Sequence, residues 1–443
     1  MLCLSPLVPH LDEPSHHRVP ANHQCRRAIC SREPLIGCAL RPATSVVSLG
    51  MTPSWLARLE QLGLAESLLD EVRDAEESYR WLWQHSGEDL FRAATADLHL
   101  AADLPYPFGE ESALELGQLR HSDLVASLGC LFPIGVTAAN DLADQIQLRR
   151  AFADPLAVTR TVQASVENKI ADFPRTAADL RLGRNPGDVL DPFLLSANFE
   201  ILSHCDLTTT IQTAVTHKAL MKIEDLVGNL HQSVISRMRG NFRVPEPRSA
   251  GRGEGKEELD YTSNPFPGAD VGQVPNVTRV DALGLFQVKS KTGSAKGGDG
   301  KRLGEQLRRL EREYGASTYY AAVVGNTLRG HRSMGAVVRE SPQTAVLVGE
   351  AALSELTGSQ VGAEPLLRTY QRAFSAAQQA TGYDFLGIAA EIAGVFRDEA
   401  KRAGEDFLSV WLHASVSGSP EFQDSRKMAK AKVAKLRAPD PRR

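Results

Sequence analysis

The chain has 443 residues, 42% hydrophobic and 23% charged, which is enough to bury a sizeable core and to fill two or three domains. A disulfide-stapled mini-protein and a wholly disordered chain are excluded. Fifty Lys and Arg against 54 Asp and Glu leave a formal net charge of −4, too little for a protein that coats nucleic acid by bulk attraction.

Residues 1–50 are expected to be a disordered leader or a misassigned start. Four of the 6 cysteines (Cys3, Cys25, Cys30, Cys38) and four of the 12 histidines (His10, His16, His17, His23) fall there, among prolines and without an apolar period. Pro6, Pro9, His10, Asp12 and Glu13 interrupt the one candidate signal-peptide run. Cys25, Cys30 and Cys38 with His23 lack the paired short spacings of a zinc site. Met51 opens a strong amphipathic pattern and is the alternative start. The remaining Cys130 and Cys205 are too few for a disulfide framework, which fits a reducing cytoplasm. No apolar run is long enough to span a membrane, since Leu124–Asn140 contains Pro133 and several polar residues.

Residues 51–200 read as a mainly helical region. Apolar residues recur at helical spacing through Leu56, Leu59, Leu68, Leu69 and Val72, with Ser54 as the expected N-cap. Breaks fall at Pro105–Pro107, Pro133, Pro155 and Asn185-Pro186. Its front is acidic: Met51–Arg120 carries 14 acids, 5 Arg and no Lys. A longer helix is expected at 216–239, with Leu220, Ile223, Val227, Leu230 and Val234 as its buried stripe. The Pro- and Gly-rich passage 243–268 is a loop, and 5 Arg to 1 acid across 235–252 read equally as a DNA-contacting loop or a linker.

Short β-rich runs follow at Ala269–Val274, Leu283–Ser290, Thr318–Val324, Gly335–Val338 and Ala345–Val348. One helix interrupts them at 301–314, where Leu303, Leu307, Leu310 and Tyr314 make a stripe. This order predicts an α/β core with a mixed sheet at 201–360. A helical C-terminal region at 361–425 and a basic tail at 426–443 complete the chain, the tail holding 8 bases to 1 acid.

The chemistry-bearing segment is Pro267-Gly268-Ala269-Asp270, followed after sixteen residues by Gln287-Val288-Lys289. Strand side chains alternate, so Gln287, Lys289 and Lys291 share one face while Phe286 and Val288 take the other. The spacing suits a hairpin that brings Asp270 beside Gln287 and Lys289. One carboxylate, one amide oxygen and one ammonium suit few tasks. Oxygen ligands hold a hard cation such as Mg2+ while phosphate oxygens and waters complete its shell. An adjacent ammonium positions water or neutralises charge on a pentacovalent phosphorus.

These residues resemble the PD-(D/E)XK nuclease superfamily, with Gln in the middle acidic slot. The string from Phe286 through Lys289, Lys291, Lys296 and Lys301 to Leu303 is similar to type II restriction endonucleases, and resembles a BstXI-like group among them. The resemblance covers residues 264–350. It implies a restriction-endonuclease-like mixed-sheet core flanked by largely helical N- and C-terminal regions. It also implies Mg2+ held by Asp270 and Gln287, water activated with the help of Lys289, and double-stranded DNA as substrate. A homodimer that cuts both strands and a cognate DNA methyltransferase as genetic partner belong to the same implication. Two departures stand out. Pro267 does not adjoin Asp270, which leaves Asp281 as a rival, although Asp281 is too close to Gln287 for a hairpin. Gln287 also removes a charge from the metal site, and Glu224 is the expected compensating ligand.

A phosphate-loop reading of Gly293–Arg302 fails because Ala295 and Arg302 stand where that pattern needs Gly and Ser or Thr. Lys291, Lys296, Lys301 and Arg302 are instead expected beside a DNA backbone. His204, Cys205 and His217 form no partner pattern. A modification-dependent endonuclease of the Mrr type and a non-catalytic DNA-binding protein are the alternatives.

Overall fold

A computed structural model describes residues 54–61, 64–101, 104–109, 112–131, 135–181, 191–245, 265–277, 282–291, 299–325 and 332–416. The proposed leader, Asp281, Lys296 and the basic tail lie outside the described residues, as does most of the Gly293–Arg302 loop.

The front of the chain is helical: α1 (Ser54–Gln61), α2 (Glu66–Gln84), α3 (Gly87–Asp97), α4 (Ala113–Leu116), α5 (His121–Leu131), α6 (Val136–Ala151) and α7 (Pro155–Ile170). Local chemistry sets several starts. Ser86 and Asp89 form a capping box at α3, and Ser112 with Glu115 forms another at α4, each satisfying amide groups that an open helix end would leave bare. Asp154 caps α7, whose first residue Pro155 has no amide to lose. After α8 (Ala177–Arg181), α9 (Pro192–Ala197) and a π turn, α10 runs from Leu207 to Ile235. It starts nine residues earlier than its apolar spacing suggests, because Asp206 caps it. Leu220 is 52% exposed and leaves the expected stripe, whereas Leu226, Leu230 and Val234 are buried.

Five strands form one sheet in chain order: β1 (Asn241–Arg243), β2 (Val271–Gln273), β3 (Gly284–Lys291), β4 (Ser317–Val324) and β5 (Ala345–Val348). The first three pair antiparallel, and β3–β4 and β4–β5 pair parallel. Parallel neighbours need crossovers, here α11 (Asp299–Tyr314) and α12 (Arg332–Glu340). The chain is therefore mixed α/β. The strand expected at Gly335–Val338 is part of α12. Met334 and Val337 are buried three residues apart while Val338 is 43% exposed, a helical period that the β-branched pair disguises. Gly304 permits the crossing of α11 and α12, since a Cβ there would meet the Glu340 Cβ at 2.6 Å. The chain closes with α13 (Glu350–Thr357), α14 (Ala363–Thr381), α15 (Phe385–Ala403) and α16 (Phe407–Val416).

Both faces of the sheet are covered. On one, Leu283, Leu285 and Tyr320 join Leu303, Leu307 and Leu310 of α11 and the apolar sides of α2–α6. On the other, Phe286, Val288, Tyr319 and Ala321 pack with α7, α10 and α14. Phe286 and Tyr319 are cross-strand partners whose rings stack at 4.3 Å. Each such buried side chain contributes ~1.5–3 kcal/mol, which helps hold β3 against β4. A third cluster joins α10 to α15 and α16.

The C-terminal carbonyls of α13 tie these layers together. Gln273 donates to the Glu355 carbonyl at 3.0 Å, Asn241 to that of Leu356 at 2.7 Å, and Arg150 to those of Thr357 and Gly358 at 3.0 and 2.9 Å. Arg150 is buried, and desolvation pushes its pKa down to about 10. The negative end of the helix dipole favours that cation.

Candidate active site

β3 is the central strand, so its side chains are sorted by the packing above and below. Leu285, Gln287 and Lys289 share the face that carries α11, and Phe286 and Val288 fill the opposite layer. Gln287 is 7% exposed, and Lys289, nearer the end of the strand, is half-buried.

Asp270 arrives from the turn at 265–269. Phe266 is buried and lies edge-on to Tyr314 at 5.0 Å, and the Tyr314 hydroxyl donates to the Pro265 carbonyl at 3.0 Å. Gly268 has φ +93°, a conformation that costs any residue with a Cβ. A Cβ there would also meet Gln306 at 3.0 Å and Leu303 at 3.3 Å. The turn thus lies flat against α11 and delivers Asp270 to the start of β2.

Asp270 is held from both sides. Its backbone amide donates to the Phe286 carbonyl at 2.7 Å, and its carbonyl accepts from the Val244 amide at 3.2 Å. Its Oδ2 accepts the Val288 amide at 2.8 Å and the Gln287 side-chain Nε2. The spacing argument therefore holds at the level of contact: Asp270 and Gln287 touch. Lys289 lies two positions farther along the same face; its backbone pairs with Ala322, and its side chain makes no hydrogen bond or ion pair with another described residue.

The other predicted positions fall less tightly around this pair. Glu224 is exposed on α10, one helical turn before Gly228, where a Cβ would face Ser290 Oγ at 3.9 Å. Ser290 shares the face of Phe286 and Val288, so α10 packs on the side of the sheet opposite Gln287 and Lys289. No group of three or more His, Cys, Asp or Glu that could hold a metal occurs among the described residues. Lys301 and Arg302 are exposed on the first turn of α11, where Lys301 lies 3.9 Å from Glu305. The backbone of Lys291 pairs with Val324, while its side chain falls outside the described residues.

Two residues take roles that the sequence pattern did not assign. Gln306 covers the turn before Asp270, and its only sequence signal is a polar residue beside the Leu303–Leu307 stripe. Arg239, from the Arg-rich stretch, is 6% exposed and serves neither as DNA contact nor as linker. It lies over the Trp81 ring at 4.6 Å and donates to the carbonyls of Ser78 and Arg149 at 2.8 and 3.1 Å. Burial, with Arg149 and Arg150 nearby, pushes its pKa down to about 10.

The donor set is one carboxylate and one amide oxygen, both hard oxygens suited to Mg2+, which keeps waters and takes few protein ligands. A single protein charge makes a low-affinity dication site by itself, one that added anionic oxygens would strengthen. No protein-family model matches this chain, and no curated protein is significantly similar to it. Among the described residues, no helix is long and apolar enough to cross a membrane.

Proposed function

We propose that the protein is a Mg2+-dependent endonuclease of double-stranded DNA, of the type II restriction class, with a PD-(D/E)XK core in which Gln287 takes the middle slot. The observation that carries this reading is the contact of Asp270 with Gln287 across β2 and β3, with Lys289 on the same face. Asp270 and Gln287 would hold the cation. When bound, it supplies positive charge opposite the scissile phosphate and acidifies its water.

The protein's own groups do the rest. Asp270 is fixed by its bonds to β3, so its carboxylate is pre-positioned. Lys289, an ammonium without a competing described partner, orients the attacking water or neutralises charge on the phosphorus. Lys301 and Arg302 lie exposed where the crossover begins and suit contacts to the DNA backbone. In-line attack on the phosphorus would leave 5′-phosphate and 3′-hydroxyl ends. The reading carries with it a cytoplasmic homodimer and a methyltransferase that protects the host sequence.

Purified protein incubated with phage DNA and Mg2+ tests the proposal directly. Discrete fragments from the wild type and none from Lys289→Ala are expected. Intact DNA across a range of divalent cations, or equal cutting by the variant, overturns it.

A further inference from the structure

We propose that Gln287 makes cation binding conditional on turning its side-chain amide, and so sets the cation concentration at which the site fills. This rests on the reading of Asp270 and Gln287 as a Mg2+ site.

An ionised carboxylate only accepts hydrogen bonds, so the amide corner that touches Asp270 Oδ2 has to be the N–H. An N–H cannot ligate a cation, and it occupies the space beside Oδ2 where a shared cation would sit. Asp270 has little freedom to yield, because Oδ2 also takes the Val288 amide at 2.8 Å and its backbone amide is bound to the Phe286 carbonyl at 2.7 Å. Gln287 has little more, being 7% exposed on a strand paired on both sides. The motion left is rotation of the terminal amide, which exchanges Nε2 for Oε1 and turns a donor into a ligand. A Glu at this position would behave in the opposite way. Two carboxylates in contact repel until a proton or a cation comes between them, so the empty site would be open and strained. Gln287 instead gives an empty site that is closed and hydrogen-bonded.

The test uses Ca2+ as probe, without DNA. Ca2+ is titrated by calorimetry into the EDTA-stripped full chain, as wild type and as Gln287→Glu. The variant is expected to bind at least about ten-fold more tightly. It should also melt below the wild type in EDTA and gain more from Ca2+. A second measurement leaves the wild type unaltered. In chain labelled with 15N-glutamine, the Gln287 side-chain signals, identified by their loss in Gln287→Met, are expected to move at Ca2+ saturation while those of Gln273 stay. Equal Ca2+ affinity of wild type and Gln287→Glu, or a Gln287 signal indifferent to bound Ca2+, overturns the conditional amide alone. Absence of Ca2+ binding in both chains up to millimolar Ca2+ overturns the cation site beneath it as well.

Discussion

The carboxylate of Asp270 takes the backbone amide of Val288 at 2.8 Å, so a side chain at the mouth of β2 completes the hydrogen bonding of the neighbouring strand. This bond places the carboxylate by the same ladder that holds the sheet. Changes to the turn or to β3 are therefore expected to separate activity from stability in distinct ways.

Lys289→Ala is expected to lower DNA cleavage by ~10²–10⁴-fold, the usual loss when a proton-handling or charge-stabilising group is removed. Because Lys289 has no bonded partner among the described residues, stability should change by no more than ~0.5 kcal/mol. Urea unfolding beside a cleavage assay checks both. A large stability loss with proportionate inactivation would mark Lys289 as structural.

Gly268→Ala acts on the turn. At φ +93° an added Cβ costs ~1–2 kcal/mol, and the contacts with Gln306 and Leu303 would push residues 267–269 away from α11. Steady-state cleavage kinetics should show kcat down at least about ten-fold with KM nearly unchanged, since a misplaced ligand costs more in the transition state than in binding. Unaltered kcat in a destabilised protein would separate the turn from the site.

Lys301→Ala combined with Arg302→Ala removes two exposed cations near the start of α11. If both meet phosphates, the slope of log affinity against log salt should fall by ~1.8, with sequence preference unchanged. Binding isotherms at several salt concentrations measure it, and an unchanged slope excludes these residues from the interface.

His231 gives an expectation on stability against pH. It shares a 2.9 Å hydrogen bond with the Tyr370 hydroxyl in the buried layer between α10 and α14, and desolvation lowers its pKa to about 4. The folded state thus prefers the neutral ring and the unfolded state binds the proton first. The neutral ring's contribution is complete above the ordinary imidazole value of about 6.5 and is lost as pH falls from there towards 4. Over that window the loss amounts to ~3 kcal/mol at most. His231→Gln should flatten this part of the profile. A wild-type slope retained in the variant would assign the acid sensitivity to other groups.

Much of this was legible in the chain itself. The stripe Leu303–Leu307–Leu310 and the run Ala345–Val348 mark elements the structure contains, because each buries one continuous face and leaves a plain period. The gap between Asp270 and Gln287 is also compatible with their contact, which the antiparallel register of β2 and β3 brings about. The same reasoning misassigned Gly335–Val338, where two β-branched residues outweighed a helical period only 9 residues long. It also placed the start of α10 too late, although Ile211, Ala214 and Val215 continue the helical period towards the Asp206 cap and are buried.

Residue order alone determined which types could do chemistry and which faces of β3 they would occupy, since alternation along a strand is a property of the backbone. Only the tertiary structure decided that Gln287 presents its N–H to Asp270, that α10 sets Glu224 on the far side of the sheet, and that Arg239 turns inward onto Trp81. Each of those outcomes depends on contacts between segments distant in sequence, whose packing and desolvation no local pattern records.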